Sequence, residues 1–152
     1  MAINIREATL TDIQSVIQLG WLMHDEAPNY ARMTFAPDKV EKIVSALVQA
    51  ENGLVLVAED GDKVIGGVVA EVCEHWGHTE LMAFEYVVYV KPEYRHCMLG
   101  VNLIRQYFKW ARDKGVKPGL TNISLSTGIQ TDRLKELYQK LGCQLVTFVF
   151  EV

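Results

Sequence analysis

The sequence predicts an α/β fold, a mixed and mostly antiparallel central sheet with helices on both faces, and three observations carry that expectation. Apolar residues at strand spacing alternate with apolar residues at helical spacing along the 152-residue chain. The first long strand candidates are joined by a tight turn, whereas later ones lie on either side of a helix, so antiparallel pairing should give way to a strand-helix-strand unit. Glycine or proline punctuates the changes of pattern.

Ile3 to Glu7 reads as a short strand, after which Thr9 stands as a cap before Ile13, Val16, Ile17 and Gly20 at helical spacing, with the helix ending near Met23. An aromatic and polar stretch runs from His24 to Ala36. Pro37 and Asp38 then open a second helix that carries Val40, Ile43, Val44 and Leu47 on one face and is closed by Gly53. Leu54 to Ala58 and Val64 to Val72 are apolar runs joined through Asp60-Gly61, a pair suited to the positive φ angles of a hairpin. The longest strand candidate is Leu81 to Val90, halted by Pro92. Arg95 to Gly100 leads into a helix with Ile104, Tyr107, Phe108 and Ala111 in phase, stopped by Gly115. Ile123 to Leu125 reads as a further strand, and Leu134, Leu137, Tyr138 and Leu141 mark a last helix ended by Gly142. Leu145 to Val152 is expected to finish the sheet.

With 49% apolar and 22% charged residues, the composition is that of one globular domain spanning 1-152. A net charge of −4, with basic residues scattered among acidic ones, leaves no footprint for nucleic acid. The amino terminus has no secretory pattern and no segment has membrane-spanning length, so a cytoplasmic protein is expected. Cys73, Cys97 and Cys143 are far apart and form no CxxC pair, which argues against a disulfide framework and against thiolate zinc. Cys73, His75 and His78 lack a fourth ligand at a recognised spacing, so no metal is expected.

The junction at Arg95 to Val101 carries the chemistry. A loop turning from strand to helix presents unpaired N–H groups and the positive end of a helix dipole, which suits a pyrophosphate. Neither G-x-x-x-x-G-K-[ST] nor G-x-G-x-x-G occurs, which argues against nucleotide hydrolysis and against a nicotinamide enzyme.

Tyr89-Val90-Lys91-Pro92-Glu93-Tyr94-Arg95-His96-Cys97-Met98-Leu99-Gly100 resembles the acetyl-CoA signature of the GNAT superfamily of N-acetyltransferases, V-x-P-x-[YFW]-[RQ]-x-x-G-x-[GA], with Val90, Pro92, Tyr94, Arg95 and Gly100 in register. Leu137-Tyr138-Gln139-Lys140-Leu141-Gly142-Cys143 resembles the family's L-Y-x-K-x-G-[FC], and the element order agrees over essentially the whole chain. One departure is Met98, where the signature has its first glycine. A helical backbone at that point would tolerate the side chain; a decayed, inactive relative is the alternative.

The resemblance implies an acyl-CoA-dependent N-acyltransferase that moves an acetyl group from acetyl-CoA to a primary amine by direct attack. It assigns the pantetheine arm to Val88, Tyr89 and Val90, and the pyrophosphate to the loop of Arg95, His96, Cys97, Met98, Leu99, Gly100 and Val101. It makes Tyr138 the acid beside the leaving thiolate, although a core aromatic on the same helix face is the plainer reading. Glu85 leads as general base, yet strict alternation puts it opposite Phe84, Tyr86 and Val88 and one residue off the family's usual glutamate. A bulge would restore the phase, and a merely solvated or salt-bridged glutamate stays open. The acceptor is expected among Trp21, His24, Asp25, Glu26, Tyr30, Met33 and Phe35, with Asp25 and Glu26 suited to a cationic amine. The assembly state is not legible here, a homodimer being one option.

Overall fold

A computed structural model describes residues 2–152. Four antiparallel strands lie in chain order, β1 (Ile3–Glu7), β2 (Gly53–Asp60), β3 (Lys63–Glu74) and β4 (Leu81–Val90). Helices α1 (Ile13–Glu26) and α2 (Pro37–Gln49) fill the long connection from β1 to β2, and α3 (Leu99–Asp113) and α4 (Thr131–Lys140) follow the sheet. The first helix runs one turn beyond Met23, to Glu26, and Gly53 opens β2 after α2 has ended at Gln49.

Pleating sorts the core into two layers, because successive strand residues face opposite sides. Leu54, Leu56, Ala58, Val68, Ala70 and Ala83 pack with Leu103, Tyr107 and Ala111 of α3 on one face. Val55 and Val69 pack with Ile13 and Ile17 of α1 and Val44 and Leu47 of α2 on the other. Burying a side chain of this size contributes about 1.5–3 kcal/mol, so each layer fixes its helices firmly. The chain enters α1 through a turn at Leu10–Asp12, where the Asp12 carboxylate accepts the Thr9 N–H at 2.8 Å and pairs with Arg6. Between β2 and β3 the turn takes its positive φ at Gly61.

Two expected strands do not form. The segment holding Ile123–Leu125 runs beside β4 but makes a single parallel bridge, Thr121 to Ala83. Ala83 donates to Leu120 O (3.0 Å) and accepts from Asn122 N–H (2.8 Å); the next N–H along, that of Ser124, goes to the Glu85 side chain instead. A side chain thus ends the ladder. Leu145 to Val152 also stays out of the sheet: it makes no backbone hydrogen bond among the described residues, and Val146, Phe148, Val149 and Phe150 are 72–90% exposed. Its β-branched and aromatic composition favours a strand only where a neighbouring edge offers partners. Among the described residues it is tied to the rest of the domain by an ion pair from Arg32 to Glu151.

Candidate active site

β4 is irregular where the chemistry is expected. Val87 pairs with Val69, but Ala70 pairs with Glu85, which leaves Tyr86 as an extra residue. Such a bulge shifts the pleat by one. Glu85 therefore shares the α3 face with Ala83 and Val88, whereas Tyr86 and Val87 both line the α1–α2 side. Strict alternation had put Glu85 opposite Val88; the bulge supplies the missing phase.

Past the bulge, β4 has an open edge. Lys91 N–H donates inward to Ile65 O at 2.9 Å, so alternation turns the N–H and C=O of Val88 and Val90 outward. The outward carbonyl of Val90 accepts from Arg95 Nε at 2.7 Å. Among the described residues no backbone bond joins β4 to the 121–128 segment beyond Asn122. The two segments stop pairing there, so the outward N–H of Val88 lies on an edge with no strand beside it among the described residues.

Glu85 and Tyr138 meet where the two segments stop pairing. Ser124 N–H donates to Glu85 Oε1 at 2.6 Å, and the Tyr138 hydroxyl makes a long 3.4 Å contact with Ser124 O. Burial raises the Glu85 carboxyl to about 7, outweighing the Ser124 hydrogen bond that favours its charged form. Burial likewise pushes the Tyr138 phenol above its ordinary value, and the nearby Glu85 charge pushes the same way. Tyr107, fully buried with its hydroxyl on Asn122 O at 2.8 Å, is raised for the same two reasons. A carboxyl titrating near neutrality beside a phenol that stays protonated is an arrangement suited to taking one proton while offering another.

The loop from β4 to α3 folds as a turn at Pro92–Tyr94, with Tyr94 O–H on Asp60 at 2.8 Å. Asn102 supplies the first N–H bonded back in the helical sense, to Met98 O at 2.9 Å, so the N–H groups of Leu99, Gly100 and Val101 face out of the helix end. Met98 sits at φ −75° and ψ 6°, with its side chain 54% exposed. That backbone does not require glycine. At Gly100, an added Cβ would meet nothing within 4 Å, which leaves the approach to the helix end clear. His96 and Cys97 are exposed beside it, and the Cys97 thiol is turned back onto Tyr94 O at 3.1 Å.

Arg95, assigned from the sequence to the coenzyme loop, and Glu26, assigned to the acceptor, are paired with each other. The Arg95 guanidinium forms a two-bonded pair with the Glu26 carboxylate at the end of α1, Nη2 to Oε2 being 2.7 Å. Tyr89 O–H donates to the same carboxylate at 3.0 Å, and the guanidinium lies 5.2 Å from the Tyr89 ring centre. Arg95 holds the Glu26 carboxyl below its usual range, while burial and then the Glu26 bond push the Tyr89 phenol up to about 12. The pairing occupies the Glu26 charge, whereas the exposed Asp25 has no ion pair among the described residues.

The remaining acceptor candidates gather on the α1–α2 side. Trp21, His24 and Phe35 form one aromatic group, with Trp21 and Phe35 centroids 4.5 Å apart and His24 and Phe35 5.8 Å apart. Tyr30 shares a 2.9 Å hydrogen bond with Ser126 Oγ, and Asn29 Nδ2 donates to Ser126 O at 3.0 Å, so the α1–α2 loop is sewn to the segment after Ser124. Met33 is 56% exposed. Ser124, Ser126, Tyr107 and the bulge at Tyr86 have no sequence signature, because each acts through a partner distant in the chain. Among the described residues no three His, Cys, Asp or Glu side chains converge as a metal site, and no helix is long and apolar enough to cross a membrane.

The sequence matches the acetyltransferase (GNAT) family model over residues 18–143. No curated protein matches it. Among solved structures, the chain is similar to the aminoglycoside acetyltransferase AAC(6')-Iy in complex with a bisubstrate analogue of CoA, at 17% identity over 100% of this chain and 97% of that one, with a TM-score of 0.77. A transcriptional regulator from Bacillus halodurans C-125 is 17% identical over 99% of both chains, with a TM-score of 0.79. The aminoglycoside 6'-N-acetyltransferase AAC(6')-Ih from Acinetobacter baumannii is 19% identical over 99% of both chains, with a TM-score of 0.69. At these identities the likeness is one of fold.

Proposed function

The chain belongs to the acetyltransferase (GNAT) family, and from that premise we propose that it transfers an acetyl group from acetyl-CoA to a primary amine by direct attack. The observation that carries this reading is the meeting of Glu85 and Tyr138 at Ser124, at the head of the opened β4 edge.

In this reading the pantetheine arm lies along β4 as an added strand would, and the outward N–H of Val88 faces the thioester carbonyl. That donor stabilises the oxyanion of the tetrahedral intermediate. The pyrophosphate is held by the free N–H groups of Leu99, Gly100 and Val101 at the start of α3, with His96 beside them. Arg95 acts through Glu26 and Tyr89, which fix the end of β4.

The amine nitrogen bonds to the acetyl carbon, its surplus proton passes to the Glu85 carboxylate, and the carbon-sulfur bond breaks. A carboxyl titrating near 7 is matched to that task at neutral pH. A thiol has a pKa of roughly 8.5, well below the raised phenol of Tyr138. Tyr138 therefore stabilises the departing thiolate by donating a hydrogen bond, and the thiolate takes its final proton from water.

A thiol-release assay with acetyl-CoA and a panel of primary amines tests the proposal. Release that depends on an amine and falls in Tyr138→Phe supports it; acetyl-CoA binding without turnover on any amine would favour the inactive relative.

A further inference from the structure

A cavity of about 220 Å³ lies between α1, α2 and the faces of β2 to β4, walled by Met23, Val44, Val69 and Val87. For comparison, an apolar cavity of about 150 Å³ admits benzene. The space therefore suits a ring with a short alkyl extension.

Polar atoms on its lining are already engaged. Tyr30 O–H is bonded to Ser126 Oγ (2.9 Å), Tyr86 O–H to Glu71 Oε2 (2.7 Å) and Tyr89 O–H to Glu26 Oε2 (3.0 Å). Glu26, the carboxylate that holds the Tyr89 hydroxyl, is paired with Arg95. Nothing in the cavity compensates a second ammonium or a run of hydroxyls, and burying such groups without partners is costly.

The walls of the cavity differ. Tyr89 is buried and fixed by Glu26 and Arg95. Tyr30 and Phe35 are half-buried and Tyr86 is 44% exposed. The cavity meets β4 at Tyr86 of the bulge on the α1–α2 side, while the Glu85 carboxylate, one residue earlier, faces the α3 side. The outward N–H of Val88 marks the edge assigned above to the coenzyme, so a molecule in the cavity approaches β4 from its α1–α2 face and not along that edge, which suits the acceptor better than an acyl chain.

We propose that this cavity takes the apolar body of the acceptor, so that the preferred substrates are primary amines with a single charge and an aromatic or short alkyl tail, not polycations. The inference rests on the acetyl-transfer reading and narrows its substrate class.

Thiol release at saturating acetyl-CoA is compared for 2-phenylethylamine, hexylamine, spermidine and neamine. The expected kcat/KM is at least tenfold higher for the first two. Calorimetric titration of 2-phenylethylamine into protein saturated with CoA gives a second readout that needs no turnover. Val44→Phe, which fills the cavity, should weaken that binding at least tenfold while CoA affinity stays within twofold; Val16→Phe, on the facing helix, serves if the first variant melts at a much lower temperature. Preference for spermidine or neamine overturns the inference and leaves acetyl transfer standing. Unchanged 2-phenylethylamine binding in both filled variants overturns it too, as does an effect confined to the choice among acetyl-, butyryl- and hexanoyl-CoA. Binding that is lost in the filled variants, with no amine acetylated, sustains the cavity assignment and sinks the transferase reading.

Discussion

The backbone N–H of Ser124 donates a 2.6 Å hydrogen bond to the Glu85 carboxylate, and in doing so it withholds that N–H from β4. One contact both holds the candidate base and ends the ladder that would otherwise run on along β4. The candidate base is also a stability liability. Its folded carboxyl titrates at about 7, above an unfolded value near ~4.3, so the folded state binds this proton more tightly. The stability it contributes is present below the unfolded value and is lost as pH rises through 7. Glu85→Gln should therefore raise the melting temperature more at pH 8 than at pH 5. The same change should lower kcat/KM by roughly 10²- to 10⁴-fold and abolish the rise of kcat/KM through pH 7. A variant with unchanged kcat/KM would place the base elsewhere.

Tyr138→Phe removes a hydroxyl that donates only a long contact to Ser124 O. Its structural cost should be about 1 kcal/mol. Turnover should fall roughly tenfold to a hundredfold, about 1.4–2.7 kcal/mol of barrier, with acetyl-CoA affinity unchanged. Equal losses in both, measured by single-turnover kinetics and calorimetry, would mean that the ring only packs.

The Arg95–Glu26 pair spans 69 positions and joins the end of α1 to the loop between β4 and α3. It is largely withdrawn from water, with side chains 15% and 30% exposed. A double-mutant cycle of Arg95→Met and Glu26→Gln, followed by denaturant unfolding, should return a coupling of about 1–3 kcal/mol. Glu26→Gln should also weaken acetyl-CoA binding, although Glu26 lies outside the loop. Additive effects would show the pair to be incidental.

Met98 is the position where the sequence departs from the family signature, and its backbone angles are open to any residue. Met98→Gly should change acetyl-CoA affinity less than threefold by calorimetry. A gain of tenfold or more would mark the methionine as an obstruction.

Much of the fold was legible because period and punctuation agree. Leu81–Val90 is bounded as the sequence implied, by its apolar run and Pro92, and each helix carries its in-phase apolar face. Ile123–Leu125 was misread because local propensity cannot register that a glutamate 39 positions earlier takes the bond a strand would need. Leu145–Val152 was misread for a related reason: it has the residues of a strand and no edge beside it. Within the site, Tyr138 and the loop stand out by motif, whereas the Glu26–Arg95 pairing and the role of Ser124 depend on contacts between distant stretches. Charge in the sequence made Glu26 a candidate for a cationic ligand; in the fold that charge is already matched.

The extra residue in β4 has a consequence for how this site can change. Substitutions at Tyr86 alter a side chain on the α1–α2 side, and loss of that one residue would set Glu85 directly before Val87 in simple pleating with Ala70 still opposite Glu85, so the carboxylate would keep the α3 face. The face of the carboxylate is thus held by its pairing with Ala70, and the extra residue changes only what the opposite layer presents. A lineage of such proteins can rebuild the α1–α2 wall by a three-nucleotide deletion without turning position 85.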